Sequence, residues 1–144
     1  MFNKIILVVF GASLFLVSHT VIAQDGKRYD SSVTWKNIVK INYHVGKRDS
    51  ALAIIRDYYR EASIKAKTPM PELVLELQTG DYDLLLVWHM EGGVNDLTWE
   101  RGPNSKKWRA ALNEVAGSEE KAQEILDEYL SYIDSAENDI AIVR

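Results

Sequence analysis

Cysteine is absent from this sequence of 144 residues, and proline occurs only three times. The absence of cysteine excludes disulfides, thiolate metal sites, iron–sulfur clusters and thiol nucleophiles. Basic residues are fewer than acidic ones, 17 against 21, and the formal net charge is −4. A general nucleic-acid-binding protein presents a basic surface to phosphates, so nucleic acid is not an expected partner. No fixed period or longer repeat is present, which excludes collagen-like, coiled-coil and solenoid architectures.

The first 23 residues have the three parts of a secretory signal peptide. Lys4 provides the basic start, residues 5–17 are uncharged and mostly apolar, and the segment ends on the small residue Ala23. This pattern predicts a signal peptide over 1–23, cleaved after Ala23, since the apolar run is shorter than the ~20 residues that span a bilayer. Cleavage leaves 121 of the 144 residues and a net charge of −5, because Lys4 is the only charged side chain removed. We therefore expect a periplasmic or secreted protein without a membrane anchor.

The rest of the chain is predicted to form a short tether and one folded domain. Residues 24–34 are polar and aperiodic, which is typical of a tether, and residues 35–144 form the domain. Apolar and polar side chains alternate over 37–45, which predicts a strand. Residues 51–64 carry apolar side chains three and four positions apart, which predicts a helix. The prolines at 69 and 71 cannot continue that helix.

A hairpin follows, and then two helices and a last strand. Alternation over 73–78 and 84–90 flanks the turn sequence of residues 79–82, which predicts two paired strands. A long loop over 91–104 precedes a helix from Ser105, which Gly117 ends, and Ser118 caps the next helix. Residues 140–143 are predicted to form a short strand. The order predicts an α+β, ferredoxin-like βαββαβ sheet with spatial strand order 4-1-3-2 and helices on one face.

The element order over residues 35–144 resembles that of the dimeric α/β-barrel superfamily of ferredoxin-like proteins. The resemblance rests on the strand pattern and not on a catalytic motif, so no catalytic residue is carried over. It implies a homodimer in which two sheets face each other with the helices outside. Members include cofactor-free monooxygenases, haem-degrading enzymes and proteins of unknown function.

Pairing the strands predicts one apolar face for the helices and one mixed face toward water or a second subunit. In the predicted register Glu76 faces Leu85, Lys40 lies beside His89, and opposite residues share a face. Trp99 is predicted either to cover a ligand or to hold the long loop in place. The candidate ligand-binding residues are those of the mixed face and the loop: Asn42, His44, Glu76, His89 and Trp99.

His44 and His89 define the chemical alternatives. Their predicted separation along the sheet is roughly 13 Å, whereas a zinc ion needs ligands at about 2.0–2.2 Å. We therefore predict no metal and no cofactor within one chain. A metal site shared between two subunits, with a histidine from each, is the alternative. Either histidine is a candidate general base near neutral pH, or a half-exposed side chain without a role.

Three functions are compatible with these observations. The first is an exported homodimeric module that binds a small apolar or aromatic ligand or another protein. The second is an enzyme that acts without a cofactor, or on a haem-like or aromatic substrate, with His44 or His89 as base. The third is a structural dimer whose barrel is filled with side chains. Few reactive side chains are present, which favours binding over catalysis.

Overall fold

The computed structural model describes residues 26–29 and 32–144. The predicted signal peptide and part of the predicted tether lie outside the described residues. The elements of the described chain, in order, are β1 (Thr34–Tyr43), α1 (Arg48–Ile54), a π-helical turn (Ile55–Tyr59), α2 (Arg60–Ala66), β2 (Leu73–Glu76), β3 (Leu84–Met90), a 3-10 helix (Gly93–Thr98), α3 (Ser105–Ala116), α4 (Glu119–Tyr132) and β4 (Ile133–Val143).

The four strands form one antiparallel sheet in the order β2-β3-β1-β4. This is the predicted order 4-1-3-2 read from the other edge, so the predicted α+β, ferredoxin-like sheet is confirmed. The helix boundary is confirmed as well: Gly117 ends α3 at φ +93°, and the Ser118 hydroxyl accepts the Lys121 N–H at 3.2 Å. We call the face packed against the helices the inner face and the opposite one the open face.

The first and the last strand in the chain differ in length from their predictions. β1 covers Thr34–Tyr43 rather than 37–45, because a bulge between Asn42 and Tyr43 ends its regular pairing. β4 covers Ile133–Val143 rather than 140–143 and pairs with the whole of β1. Its acidic residues interrupt the apolar pattern from which a strand is predicted. In the structure, Glu137 and Asp139 pair with Lys40 at 3.0 and 2.9 Å on the open face.

The predicted register between β1 and β3 is wrong by four residues. Lys40 lies opposite Leu85, and Lys36 lies opposite His89. Because side chains alternate with a period of two, an even shift leaves every side chain on its predicted face. The two faces of β1 and β3 are therefore as expected, while their neighbours along the sheet are not.

The predicted register between β2 and β3 is wrong by one residue, which reverses the faces of β2. Leu75 lies opposite Leu85, and Glu76 lies opposite Leu84. The hairpin closes between Leu77 and Asp83 instead of between residues 79 and 82. Asp83 is fixed by β1, since its carboxylate accepts the Tyr43 N–H at 2.9 Å and its own N–H binds the Ile41 carbonyl. Leu73 and Leu75 therefore lie on the open face.

The hydrophobic core has two parts. One joins the inner face of the sheet to α1 and α4, with Leu84 fully buried against Ile41 and Tyr43. The other joins α2, α3 and α4 through alanines that surround Leu112. Small side chains allow the helices to approach each other closely. The bulkier aromatic residues lie where these two parts meet.

The π-helical turn changes which residues of the first helical segment face inward. Before the turn, Ala51 and Ile54 are buried; after it, Ala62, Ser63 and Ala66 are buried. A π turn contains one more residue than an α turn, and such turns are frequent at functional sites. The spacing over 51–64 predicts that Tyr58 and Ala62 face inward. The extra residue of the π turn brings Tyr59 and Ser63 to the inner side as well.

A stability prediction arises at the end of α2. Lys67 has φ 50°, in the left-handed region, which costs a residue with a Cβ roughly 1–2 kcal/mol. Lys67→Gly is expected to raise the free energy of unfolding by about 0.5–1 kcal/mol, after allowing for the entropy of glycine in the unfolded chain. Urea denaturation measures this. Lys65→Gly, inside the helix, is the control and should lower the free energy of unfolding by about 1 kcal/mol. An equal decrease in the free energy of unfolding of both variants would contradict the prediction.

Candidate functional site

A cavity of about 440 Å3, which we call the main pocket, lies on the inner side of the sheet within one chain. The helical segment around the π turn forms one wall, and the β2–β3 hairpin forms the other. Its volume falls within the range of about 300–1,000 Å3 that small-molecule sites occupy. The lining residues are Ile55, Tyr59, Arg60, Ser63, Met70, Pro71, Val74, Leu86, Trp88, Trp108 and Tyr129.

Aromatic rings form much of the wall of the main pocket. Tyr59 contacts Trp108 edge-to-face with ring centroids 5.4 Å apart, and it contacts Tyr129 at 5.0 Å. Edge-to-face packing of this kind fixes the rings relative to one another. Tyr129 is held further by its hydroxyl, which lies 3.1 Å from the Tyr43 hydroxyl. The wall is therefore rigid and apolar.

The Tyr59 hydroxyl is the polar atom of this wall that has no partner. It is buried and makes no hydrogen bond within the described residues. Burial, with the neighbouring Tyr129 second, raises the pKa of Tyr59 above its usual value, and burial raises the pKa of Tyr129 as well. Both phenols are therefore protonated at neutral pH. A buried hydroxyl without a partner costs about 1–3 kcal/mol, so this phenol is a polar defect within the aromatic wall.

A second cavity of about 540 Å3, the outer pocket, adjoins the main pocket. The two share Ser63, Trp88 and Trp108 as lining residues. The Trp108 indole N–H donates to the Ser63 hydroxyl at 3.0 Å, which fixes the ring between the two spaces. The outer pocket is the less enclosed of the two and is bounded by Arg109 and residues 102–105.

Two of the sequence-predicted site residues lie together at one end of β1. The His44 imidazole Nδ1 is 3.2 Å from a carboxylate oxygen of Asp134, and the Asn42 amide donates to the same carboxylate at 3.3 Å. Both His44 and Asp134 are about half exposed. This is a surface cluster, and none of its residues lines either pocket.

His89 lies at the other end of the open face. Its Nδ1 is 3.4 Å from the Lys36 ammonium and 4.0 Å from Glu72, and Lys36 also pairs with Glu72. The hydrogen bond from Lys36 lowers the pKa of Glu72. Lys36 lies on β1 opposite His89, and His44 follows the end of β1 eight positions after Lys36, so the two histidines are roughly 25 Å apart. This separation is about twice the predicted one.

The remaining two predicted residues lie apart from both histidines. Glu76 is on the inner side at the sheet edge, 3.6 Å from Arg48, whereas it was predicted on the mixed face. Trp99 follows the 3-10 helix in the long loop and is 58% exposed. Among the described residues, no three histidine or acidic side chains are grouped to hold a metal ion. Within the same part of the chain, none of the helices has the length and apolarity to span a bilayer.

The open face carries an apolar patch at its β2–β3 half. Leu73 and Leu75 on the edge strand are 46% and 41% exposed, and they lie opposite Val87 and Leu85. Ile38 continues the patch on β1, opposite Val87. The reversed β2 register thus makes this face more apolar than the predicted mixed face. We call these five residues the open-face patch.

Sequence reasoning missed the residues of the main pocket. Trp88 and Trp108 lie on the apolar sides of a predicted strand and a predicted helix, a position typical of core residues, and Tyr59 falls outside the three- and four-residue spacing over 51–64. The π turn that brings Tyr59 inward has no sequence signal of its own. One feature of the sequence does point to the main pocket, which is its aromatic content. Tyr59, Trp108 and Tyr129 all lie on helices predicted to cover the same face of the sheet.

The sheet order, the helices on one face and the helix-side pocket define a ferredoxin-like α+β protein. No protein-family model matches the chain, and no curated protein matches it. A NIPSNAP family protein of unknown function from Agrobacterium tumefaciens is similar in structure, with TM-score 0.51 and 13% identity over 81% of this chain and 94% of that one.

Two other solved structures match with lower TM-scores. A NIPSNAP domain protein from Burkholderia xenovorans has TM-score 0.46 and 13% identity over 76% of this chain and 94% of that one. A protein from Nitrosomonas europaea, named for antibiotic biosynthesis monooxygenase activity, has TM-score 0.42 and 14% identity over 74% and 95%. At these identities the similarity concerns the fold alone.

Proposed function

We propose that this protein is an exported homodimer that binds a small, largely apolar ligand in the main pocket of each subunit. The observation that carries the proposal is the pocket itself, about 440 Å3 with aromatic walls and Arg60 among its polar lining residues. Apolar pockets with a few convergent polar groups are the usual form of small-molecule sites. The location differs from the predicted one, which lay between the mixed face and Trp99.

The homodimer rests on the open-face patch. Leucine side chains at 46% and 41% exposure on an edge strand leave apolar surface in water, and a second copy of the same face would cover it. Lys36 and Lys40 flank the patch, each paired with carboxylates of its own chain. These lysines therefore enter an interface already neutralised. Each main pocket lies on the other side of its sheet, so ligand and partner subunit bind on separate faces.

A base mechanism through His44 or His89 has less support than binding. Neither histidine lines the main pocket or the outer pocket, and a general base must lie within hydrogen-bond reach of its substrate. Replacing both histidines by alanine is expected to leave ligand binding unchanged. A calorimetric or fluorescence titration measures this, and a loss of binding in the double variant with its fold intact would favour the catalytic alternative.

Ligand binding is tested by filling the pocket from its exposed edge. Val74 and Leu73 are consecutive on β2, have similar exposures, and point to opposite faces. Val74→Trp is expected to weaken binding of the neutral fluorophore N-phenyl-1-naphthylamine by about tenfold or more, because the indole occupies the pocket; removal of about 55 Å2 of apolar ligand contact alone corresponds to that factor.

Leu73→Trp is the matched control for this titration, since it adds the same ring on the open face. Its binding of the fluorophore is expected to equal that of the unmodified protein. If both variants bind like the unmodified protein, or if both lose binding equally while remaining folded by circular dichroism, the main pocket is not the site and the proposal fails.

A further inference from the structure

We infer that the ligand of the main pocket is an organic anion with a ring-containing apolar body, whose anionic group is bound by Arg60. This inference rests on the proposed function and specifies the chemical class of its ligand. Three observations support it: an arginine at the pocket without a carboxylate partner, a lining without acidic residues, and aromatic walls.

Arg60 is a pocket residue whose charge is not neutralised by the chain. Arg60 is exposed and, within the described residues, forms no ion pair and no hydrogen bond, although the protein is acidic. Other cations of the same helical segment are paired: Arg56 binds Asp57 at 2.7 Å, and Lys65 binds Glu114 at 2.7 Å. Guanidinium groups bind carboxylates through two parallel N–H donors. A free guanidinium at an apolar pocket therefore suits an anionic group.

The polar lining of the pocket contains donors and no carboxylate. No aspartate or glutamate is among its lining residues, so nothing there would repel an anion. The Ser63 hydroxyl, which accepts the Trp108 indole N–H, is the other polar side chain near Arg60 in the lining. Arg109, which lines the adjoining outer pocket, adds positive potential near Tyr59 and binds Gln123 rather than an acid. The main pocket thus favours a ligand that places one negative charge at Arg60.

The rest of the lining fits a flat apolar body. Trp88, Trp108 and Tyr129 present ring faces and edges beyond the polar end, and aromatic pairs prefer such offset and edge-to-face contacts. Leu86 and Val74 fill the sheet side. An anion with a fused or substituted ring would therefore place its charge at Arg60 and its ring among the aromatic side chains.

The test compares two ligands of one shape that differ in charge. Naphthalene-2-carboxylate and naphthalene-2-carboxamide are titrated into the purified protein by calorimetry at neutral pH. The carboxylate is expected to bind about tenfold more tightly, as expected for one charge-assisted hydrogen-bonded pair at a partly exposed arginine. Arg60→Gln is expected to weaken carboxylate binding more than carboxamide binding, so that the ratio of the two affinities falls from about tenfold to about one. Added salt should weaken the carboxylate only.

Arg56→Gln is the matched control, because it removes the same group one turn earlier, where it is paired with Asp57 in solvent. It should keep the carboxylate preference. If the unmodified protein binds both compounds equally, or if Arg60→Gln keeps the preference, the inference is wrong. The proposed function has its own readout, which is the binding of N-phenyl-1-naphthylamine. If Val74→Trp weakens that binding and Leu73→Trp does not, the main pocket is the site and only the inferred ligand class is wrong.

Discussion

Leu84→Ala is expected to lower the free energy of unfolding by about 2–5 kcal/mol, the range for removing a fully buried leucine side chain. Leu84 is 0% exposed and packs between the sheet and the helices with Ile41 and Tyr43. It lies on β3, a central strand paired on both sides, so its surroundings have little freedom to collapse into the space left. Urea denaturation followed by circular dichroism measures the change.

Leu130→Ala is the control for this loss. Leu130 is on α4 and largely exposed, so the same chemical change is expected to alter stability by about 0.5 kcal/mol or less. Similar losses in the two variants would show that the contact between β3 and the helices is not the main part of the core. A fall in the denaturant slope would instead indicate a change in the unfolded or native state.

The fold followed from the sequence because its signals are local. Alternation over 84–90, the helix stripe that starts at Ala51 and the Gly117–Ser118 boundary each depend on neighbours in the chain. The order of these elements and the handedness of their connections then leave few topologies. The four-residue error in the register between β1 and β3 left the predicted faces correct, because side chains alternate along a strand with a period of two.

The candidate site did not follow from the sequence, because it depends on long-range contacts. The register of β2 is set by Asp83, which binds the backbone of Tyr43 forty positions away. A one-residue error there exchanged Glu76 and Leu75 between faces. The main pocket depends in addition on the π turn, which brings Tyr59 inward and has no distinct composition. The predicted histidines were selected for their chemistry, while the pocket is formed by side chains that sequence patterns assign to the core.

Leu75→Asp is expected to weaken self-association of the proposed homodimer by about 10,000-fold or more, because the proposed interface would then bury one unpaired carboxylate from each subunit, at about 3–5 kcal/mol each. Leu75 is 41% exposed in the single chain, so the monomer tolerates the charge. Sedimentation velocity over a range of concentrations measures the monomer–dimer equilibrium.

Val74→Asp is the matched control for self-association, since residue 74 is the next position on β2 and points to the inner face. Its dimer should dissociate at the same concentration as that of the unmodified protein. Dimers of equal strength in both variants would place the interface elsewhere. The two proposals also separate here: because each main pocket belongs to one chain, the Leu75→Asp monomer is expected to bind N-phenyl-1-naphthylamine as the dimer does. Loss of binding in that monomer would show that the second subunit supports the pocket through the sheet.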